Sequence, residues 1–422
     1  MNQVEPSSLD EQARQILQKN DKGTYTIPTA GLYPYQWNWD SAFAAWGFST
    51  FDIDRAWVEL ETLMAGQWPN GMVPHIQFHS PDPGYFPGPD VWGTQGIGPS
   101  PSSGISQPPV AAIFARLIYE KNPLAGEPRI RALVPSLLRW HHWFMQWRQD
   151  NGVIFVTHPW EAGRDNTHDW DDAMANIDPV GVGDYTRRDT SHVDASMRPT
   201  KEDYDRYIWL VQRGRSAGWD EGLMAADRDF AVGDPTMTFI LLRAQRDLLW
   251  LMTELQMTTG PLPLWIKTLE AGAARLCDPK SGYFTALDLV SRKHTGHLTN
   301  ASFLNWLGGV DSKAMQRALA RMIETCRYPV PSYDAQACDF DGMRYWRGPT
   351  WAIMNALIGL GLKDMGLEDA AEKVRAGTQR MIMDHGFAEY FHPHTGAPAG
   401  GGSFTWTAAV WLAWASPSVK GA

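Results

Sequence analysis

The sequence lacks an excess of basic residues, a long hydrophobic run and a cysteine-rich pattern. Its 37 Lys and Arg against 47 Asp and Glu give a net charge of −10, which argues against nucleic acid and anionic membranes, since both bind basic patches. No apolar run is long enough to cross a membrane, and the first residues show no secretory signal. The 3 cysteines indicate free or buried thiols in a reducing compartment. We therefore expect a cytoplasmic protein whose partners include neither nucleic acid nor a membrane.

Tryptophan, by contrast, is abundant. The chain has 21 tryptophans, and aromatic residues make up 12% of it. Many of them lie in segments rich in proline and glycine, where core packing does not require them. Indole rings stack on the apolar faces of sugars, and their N–H groups can reach a hydroxyl. The composition therefore favours a small-molecule carbohydrate partner over aromatic rings that only fill a core.

Hydrophobic periodicity predicts an all-α protein with about a dozen helices of moderate length. No linker or charge run divides residues 1–422, which favours a single catalytic domain of stacked helix hairpins. An (α/α)6 barrel with long loops at one end fits this pattern, and a two-lobed helical protein is the alternative. The alternating residues 282–291 predict one strand of a small β-hairpin. The irregular residues 67–106 and 173–200 predict long functional loops.

Residues 158–172, HPWEAGRDNTHDWDD, form the most unusual segment of the chain. They have neither a helical nor an alternating apolar period, and they mix indole rings with carboxylates. Two interpretations stand at this point: a binding site for a polar ligand, and an acidic loop anchored by its tryptophans. The carboxylates are those of Glu161, Asp165, Asp169, Asp171 and Asp172.

Two carboxylates in aromatic loops stand far apart in the sequence: Asp165 in GRDN and Glu389 in FAEYF. Glycoside hydrolysis needs such a pair, one group to protonate the leaving oxygen and one to activate water or attack directly. The acid needs a raised pKa, which burial against an indole such as Trp160 can supply. Alone, each would more simply be a helix cap or a salt-bridge partner. As a pair among aromatic residues, they predict a glycosidase.

A second cluster, YQWNWD, places Asp40 beside Trp37 and Trp39. The aspartate could accept hydroxyls of a sugar that stacks on an indole, or it could cap the helix that follows. In RPTKEDY, the guanidinium of Arg198 would suit a carboxylate on the ligand. For Lys201 in the same motif, we predict an ordinary surface salt bridge.

The histidines do not indicate a metal. His75 and His79 are four residues apart, but Pro74 and the absent helical pattern weigh against a zinc site. Nucleotide-binding and serine-hydrolase motifs are also missing. We therefore predict no metal and no cofactor. His392 and His394 would be the acid and base of a helical-barrel sugar epimerase, which is an alternative from another class.

Several motifs together resemble glycoside hydrolase family 63, and most of all its compact bacterial branch of mannosylglycerate and glucosylglycerate hydrolases. They occur in the order of that branch, from about Tyr33 to Leu412, and they are specific as a set. The motifs are YPYQWNWDSAFAAWGF, SSGISQPPV, HPWEAGRDNTHDWD, RPTKEDYDRY, RYWRGPTW, EYFHPHTG and FTWTAAVWL.

The resemblance implies an (α/α)6 barrel and an inverting α-glycosidase that acts on a small anionic α-glycoside. Asp165 would be the general acid and Glu389 the general base. Contacts to the glycerate are implied for Tyr33, Tyr85, Arg198 and Tyr204. Contacts to the sugar ring are implied for Trp37, Asp40, Gln107, Trp160, Tyr345, Trp346 and Trp351. Trp39 and His75 complete the predicted binding set.

Two departures from the family pattern matter. Arg164 stands before the catalytic aspartate, where the family often has Met or Leu. A guanidinium aimed at Asp165 would lower its pKa, so we expect Arg164 to point away. Near residues 402–404 only Ser403 offers a polar side chain for the aglycone. One alternative is therefore a hydrolase of another small α-glucoside or α-mannoside, such as glucosylglycerol. Another is a non-catalytic sugar-binding protein. The sequence is compatible with glucose or mannose as the sugar and with a homo-oligomer.

Overall fold

The computed structural model describes residues 6–226 and 228–419, and they are mainly helical. Short 3-10 helices span Pro159–Ala162, His168–Trp170, Ala195–Met197 and Asn300–Asn305. The α-helices are α1 (Pro6–Asn20), α2 (Asn38–Phe48), α3 (Ile53–Ala65), α4 (Pro89–Trp92), α5 (Ala111–Lys121), α6 (Pro123–Trp147), α7 (Asp171–Ala175), α8 (Asp189–His192), α9 (Lys201–Ser216), α10 (Glu221–Ala226), α11 (Pro235–Glu254), α12 (Leu262–Arg275), α13 (Lys313–Thr325), α14 (Ala352–Asp364), α15 (Glu368–His385) and α16 (Thr405–Val410).

Within the described ranges, the helices form a closed inner ring and an outer layer. Around the ring, α2 contacts α5, α5 contacts α11, and α11 contacts the 3-10 helix Asn300–Asn305. That helix contacts α14, α14 contacts α16, and α16 returns to α2. Outside them, α1, α3, α6, α12, α13 and α15 pack on their inner partners. The predicted all-α (α/α)6 barrel is confirmed, whereas the single-domain assignment stays a prediction.

The residue pattern explains which helices lie inside. All 11 residues of α2 are buried, as expected for a helix that is apolar on every side. The outer helix α13 is amphipathic and buries one stripe, Met315, Ala318, Leu319 and Met322. Full burial in α2 therefore goes with a largely apolar sequence, and the single buried stripe of α13 goes with a helical period.

Short antiparallel strands connect the helices. β1 (Gln36–Trp37) pairs with β2 (Ile76–Gln77), and β8 (Tyr390–Phe391) pairs with β9 (Pro398–Ala399). A five-stranded sheet has the order β3 (Gln149–Asp150), β4 (Val153–Val156), β5 (Val232–Gly233), β6 (Leu287–Asp288) and β7 (Lys293–His294). The predicted β-hairpin is present as β6 and β7, but it is the edge of this larger sheet. The sequence did not reveal the other strands, because all but β4 have only two residues and β4 is buried on both faces, so none shows an alternating period.

Among residues 6–226 and 228–419, no helix has the length and apolar character that a membrane span needs.

Candidate active site

A pocket opens at the N-terminal ends of the inner helices. Trp39 and Asp40 lie in the first turn of α2, and Phe404 and Trp406 stand at the beginning of α16. The predicted long loops 67–106 and 173–200 supply part of the remaining wall, and the rest comes from other loops, a 3-10 helix and the first turn of α9. Of the predicted site residues, the pocket brings together Tyr33, Trp37, Trp39, Asp40, His75, Tyr85, Gln107, Trp160, Asp165, Arg198, Tyr204, Tyr345 and Glu389.

Two predicted sugar contacts are not at the pocket surface. Trp346 and Trp351 stack on each other, with ring centroids 3.7 Å apart and planes at 1°, and they are 1% and 0% exposed. Trp351 packs against Tyr345, which does line the pocket. Both indoles lie behind the pocket wall among the described residues, and direct contact of either one with a sugar stays a prediction. In a sequence, a buried supporting ring and a ring that faces a ligand look alike.

Sequence reasoning also missed several lining residues. Arg188 and Asp189 belong to the loop 173–200, and Leu32 and Phe86 add apolar surface. The irregular composition of that loop marked it as functional, but nothing in the pattern singled out these positions.

Asp165 lies on a turn that tertiary contacts hold in place. Gly163 precedes it with φ +67°, and a Cβ at this glycine would lie 2.5 Å from the Trp39 ring. The Tyr207 hydroxyl donates to the Asp165 carbonyl at 2.8 Å. The backbone N–H of Trp346 donates to the Asn166 side chain at 3.1 Å. These contacts direct the Asp165 carboxyl group into the pocket.

Burial raises the pKa of Asp165 to about 7; the charge of Arg198 opposes this shift, and that of Glu389 adds to it. Within the described residues, the carboxyl group takes a hydrogen bond from its own backbone and none from another side chain. It is therefore suited to hold a proton near neutral pH.

Glu389 is fully buried beneath the pocket. Its Oε1 atom accepts from the Tyr33 hydroxyl at 3.0 Å and the Tyr345 hydroxyl at 3.2 Å, and its Oε2 atom accepts from the Gly401 backbone at 2.9 Å. Burial raises the pKa of Glu389, while Arg198 and these donors act to lower it. Three donors converge on the ionised form of this carboxylate.

Arg198 lies next to both carboxyl groups and is 5% exposed. Its Nε donates to Asp189 at 3.0 Å, its Nη2 donates to the Tyr33 hydroxyl at 3.1 Å, and its charge centre lies 3.8 Å from the Tyr345 ring. The Nη1 atom is buried and makes no hydrogen bond of good geometry among the described residues, although the Tyr390 hydroxyl lies close enough to interact with the guanidinium. A donor of this kind suits an anionic ligand group.

Asp40 is a pocket residue and not a helix cap. α2 begins at Asn38 with Trp37 as the cap residue, so Asp40 lies in the first turn. Burial and the charge of Glu389 hold its pKa well above the usual range. The capping interpretation is therefore wrong. His75, by contrast, bonds Ser103 at 2.8 Å, and burial lowers its pKa, so the ring is neutral.

Three residues with sequence-based expectations lie outside the pocket. Arg164 points away from Asp165, as expected, and bonds Asp169 and Asp234. Lys201 forms the predicted surface pair with Asp205 at 2.7 Å. The side chain of Ser403 is exposed and does not line the pocket.

The positions of two histidines argue against the epimerase alternative. His392 and His394 lie outside the pocket, and the Nδ1 atom of His392 accepts from the His394 backbone at 3.1 Å. No group of three or more His, Cys, Asp and Glu that could hold a metal occurs in the described part of the chain.

An (α/α)6 barrel whose pocket holds four carboxyl groups, Asp165 and Glu389 among them, and many aromatic rings has the architecture of a helical-barrel glycoside hydrolase. Comparison with known proteins agrees. Residues 33–407 match the family described as mannosylglycerate hydrolase MGH1-like glycoside hydrolase domain. The chain belongs to this family, and it is a glycoside hydrolase.

The chain is 41% identical over 414 residues to mannosylglycerate hydrolase MGH1 of Selaginella moellendorffii, covering 96% of this chain and 85% of that protein. It is 34% identical to the glucosylglycerate hydrolase of Mycolicibacterium hassiacum, covering 97% and 98%. The crystal structure of the family 63 mannosylglycerate hydrolase from Thermus thermophilus with Tris and D-glycerate superposes with a TM-score of 0.92, at 39% identity and 96% and 99% coverage.

Proposed function

We propose that the protein hydrolyses mannosylglycerate or glucosylglycerate to the free sugar and glycerate, with inversion at the anomeric carbon. The observation that carries the proposal is Arg198, whose buried Nη1 donor makes no well-formed hydrogen bond. The pocket is also lined by Arg188 and by four carboxyl groups, those of Asp40, Asp165, Asp189 and Glu389. A glycerate carboxylate would supply the missing acceptor. The relatives with these activities support the same substrate class.

In this proposal, Asp165 and Glu389 act on opposite sides of the glycosidic bond. Asp165 starts protonated and gives its proton to the glycosidic oxygen as the bond from that oxygen to the anomeric carbon breaks. Glu389 starts ionised and takes a proton from a water molecule, whose oxygen bonds to the anomeric carbon. The products are a β-configured sugar and glycerate, and a second proton exchange with solvent resets both carboxyl groups. Inversion needs a separation of about 6.5–9.5 Å between them.

The residues around Arg198 would form the aglycone end of the pocket. Tyr33 bonds both Arg198 and Glu389, so it links the aglycone end of the pocket to the general base. Tyr85 and Tyr204 line the same side. Hydroxyl groups and a guanidinium suit the hydroxyls and carboxylate of glycerate. The aromatic rings of Trp37, Trp39 and Trp160 would pack on the sugar.

A substrate panel tests the proposal. The purified enzyme is assayed with mannosylglycerate, glucosylglycerate, glucosylglycerol and neutral α-disaccharides, and NMR follows the first product anomer. We expect the glycerate glycosides to give the highest kcat/KM and the β anomer to appear first. A preference for glucosylglycerol or a disaccharide would overturn the anionic aglycone. An α anomer would overturn inversion, and no turnover on any substrate would overturn the activity.

A further inference from the structure

The turn that carries Asp165 is anchored by a buried ion cluster outside the pocket. Arg164 is 0% exposed. Its Nη1 donates to Asp169 at 2.9 Å, and its Nη2 donates to Asp234 at 2.6 Å. None of these three residues, which we call the ion triad, lines the pocket.

Each carboxylate of the ion triad connects the turn to a different inner element. Asp234 caps α11, accepting from the Met237 backbone at 3.3 Å. Asp169 accepts from the Thr299 hydroxyl at 3.2 Å, and Thr299 is the cap residue of the 3-10 helix Asn300–Asn305. The turn is thereby joined to the N-terminal ends of two neighbouring elements of the ring.

The turn is also closed on itself. The indole N–H of Trp170 donates to the Arg164 carbonyl at 2.8 Å, and the Arg164 charge centre lies 5.4 Å from the Trp170 ring. Arg164 therefore binds the turn through both its backbone and its side chain, immediately before Asp165. A shift of this arginine would shift the carboxyl group that follows it.

The charges of the ion triad have a second consequence. A guanidinium next to an acid favours the ionised carboxylate, which cannot donate a proton. Two carboxylates pair with Arg164 on the side away from Asp165, so its positive charge is compensated there. The groups that do face Asp165 are Arg198, Glu389, Asp189, Tyr33, Tyr204, Tyr207 and Tyr345.

We propose that Arg164, Asp169 and Asp234 position the proton donor, by holding its turn on the barrel and by compensating the arginine charge beside it. The inference rests on the proposed function, because it requires Asp165 to be the general acid. Stability alone does not account for the triad, since apolar residues often replace buried ion clusters without loss. The three are positioning residues, because they act only through Asp165.

The variant Asp234→Asn tests this role, because asparagine keeps the helix cap and removes the charge. Its matched control is Asp247→Asn on the same helix, about 20 Å further along at 1.5 Å per residue. Asp247 is also a buried aspartate that accepts from two arginines, Arg116 and Arg243, and it does not line the pocket.

Each variant is assayed on the glycerate glycoside and on the matching α-glycosyl fluoride, whose fluoride leaves with far less help from an acid. We expect Asp234→Asn to lower kcat on the glycoside about ten- to a hundredfold, as misplaced catalytic groups do, with KM unchanged. Its kcat on the fluoride should stay near the wild-type value. The alkaline limb of the pH profile on the glycoside should move to lower pH. Asp247→Asn should change none of these.

The outcomes separate the two proposals. If Asp165→Asn turns over the glycoside like wild type, the assignment of the acid is wrong, and this inference is wrong with it. The second case is that Asp165→Asn is inactive on the glycoside. If Asp234→Asn then matches the control, or loses activity equally on both substrates, the triad does not position the acid and the proposed function stands. Should Asp234→Asn not fold, Asp169→Asn in the same assays decides.

Discussion

The turn around Asp165 and the loop around Glu389 place the same functional group in opposite surroundings. Glu389 accepts hydrogen bonds from two tyrosine hydroxyls and a backbone N–H. Asp165 receives none from another side chain in the described residues. Hydrogen bonds to the charged form favour ionisation, and burial without them favours the neutral form. The contrast indicates which carboxyl group would donate the proton and which would accept one.

Arg198 does not create this contrast. It is the largest opposing influence on the pKa of Asp165 and also on that of Glu389. The difference comes from Tyr33, Tyr345 and Gly401, whose donors all point at Glu389. The hydrogen-bond donors around Glu389, and not the cation that both groups share, therefore make the two carboxyl groups differ in their tendency to ionise.

The largest expected effect comes from removing each carboxylate. Both Asp165→Asn and Glu389→Gln should lower kcat on the glycerate glycoside by about 10²–10⁴-fold, the usual contribution of an acid or a base. On the matching glycosyl fluoride, Asp165→Asn should keep its activity and Glu389→Gln should not, because water must still be activated. Steady-state kinetics on both substrates measure this. The opposite pattern would exchange the two roles.

Substitution of the cation that both groups share should give the next largest effect. Arg198→Lys keeps the charge but loses the planar fork, so kcat/KM on the glycerate glycoside should fall about ten- to a hundredfold, the value of a charge-assisted hydrogen bond. Glucosylglycerol, which has no carboxylate, serves as the control substrate within the same variant. An equal loss of kcat/KM on both substrates would show that Arg198 does not recognise the charge of the aglycone.

A smaller effect should follow from crowding Glu389 alone. Gly400 has φ +73°, and a Cβ there would overlap Oε2 of Glu389, so Gly400→Ala should displace the carboxylate and lower kcat about tenfold. Gly402→Ala is the control, because a Cβ at Gly402 meets nothing within 4 Å. Kinetics of the two variants measure the difference. Equal kcat values would mean that the loop adjusts without moving Glu389.

The smallest expected effect concerns pH and stability. The pKa of Asp165 is raised to about 7 in the folded protein, above its unfolded value of about 4. The folded state then holds a proton that the unfolded state releases, so stability from this group is present below pH 4 and is lost as pH rises to about 7. Asp165→Asn should therefore raise Tm by about 4 °C at pH 8 relative to wild type. Calorimetry at pH 4 and pH 8 measures it, and an equal change at both would contradict the raised pKa.

The sequence allowed the prediction of most helices because their apolar period or continuous apolar run is local. It also predicted the surface pair of Lys201 and the direction of the Arg164 side chain, away from Asp165. It did not separate the supporting indoles Trp346 and Trp351 from pocket indoles. Nor did it decide whether Asp40 caps α2 or faces a ligand, because a cap and a first-turn residue differ by only a few positions.

The sequence by itself determined the layers of the barrel and supplied the two carboxylates in aromatic loops. Only the tertiary structure decided how those carboxylates differ. The donors of Glu389 come from positions as distant as Tyr33 and Tyr345, and the ion triad of Asp165 reaches to Asp234. Their effect on each pKa depends on distances of about 3 Å, over which hydrogen bonds act. Such distances arise only when remote segments meet in the folded ring.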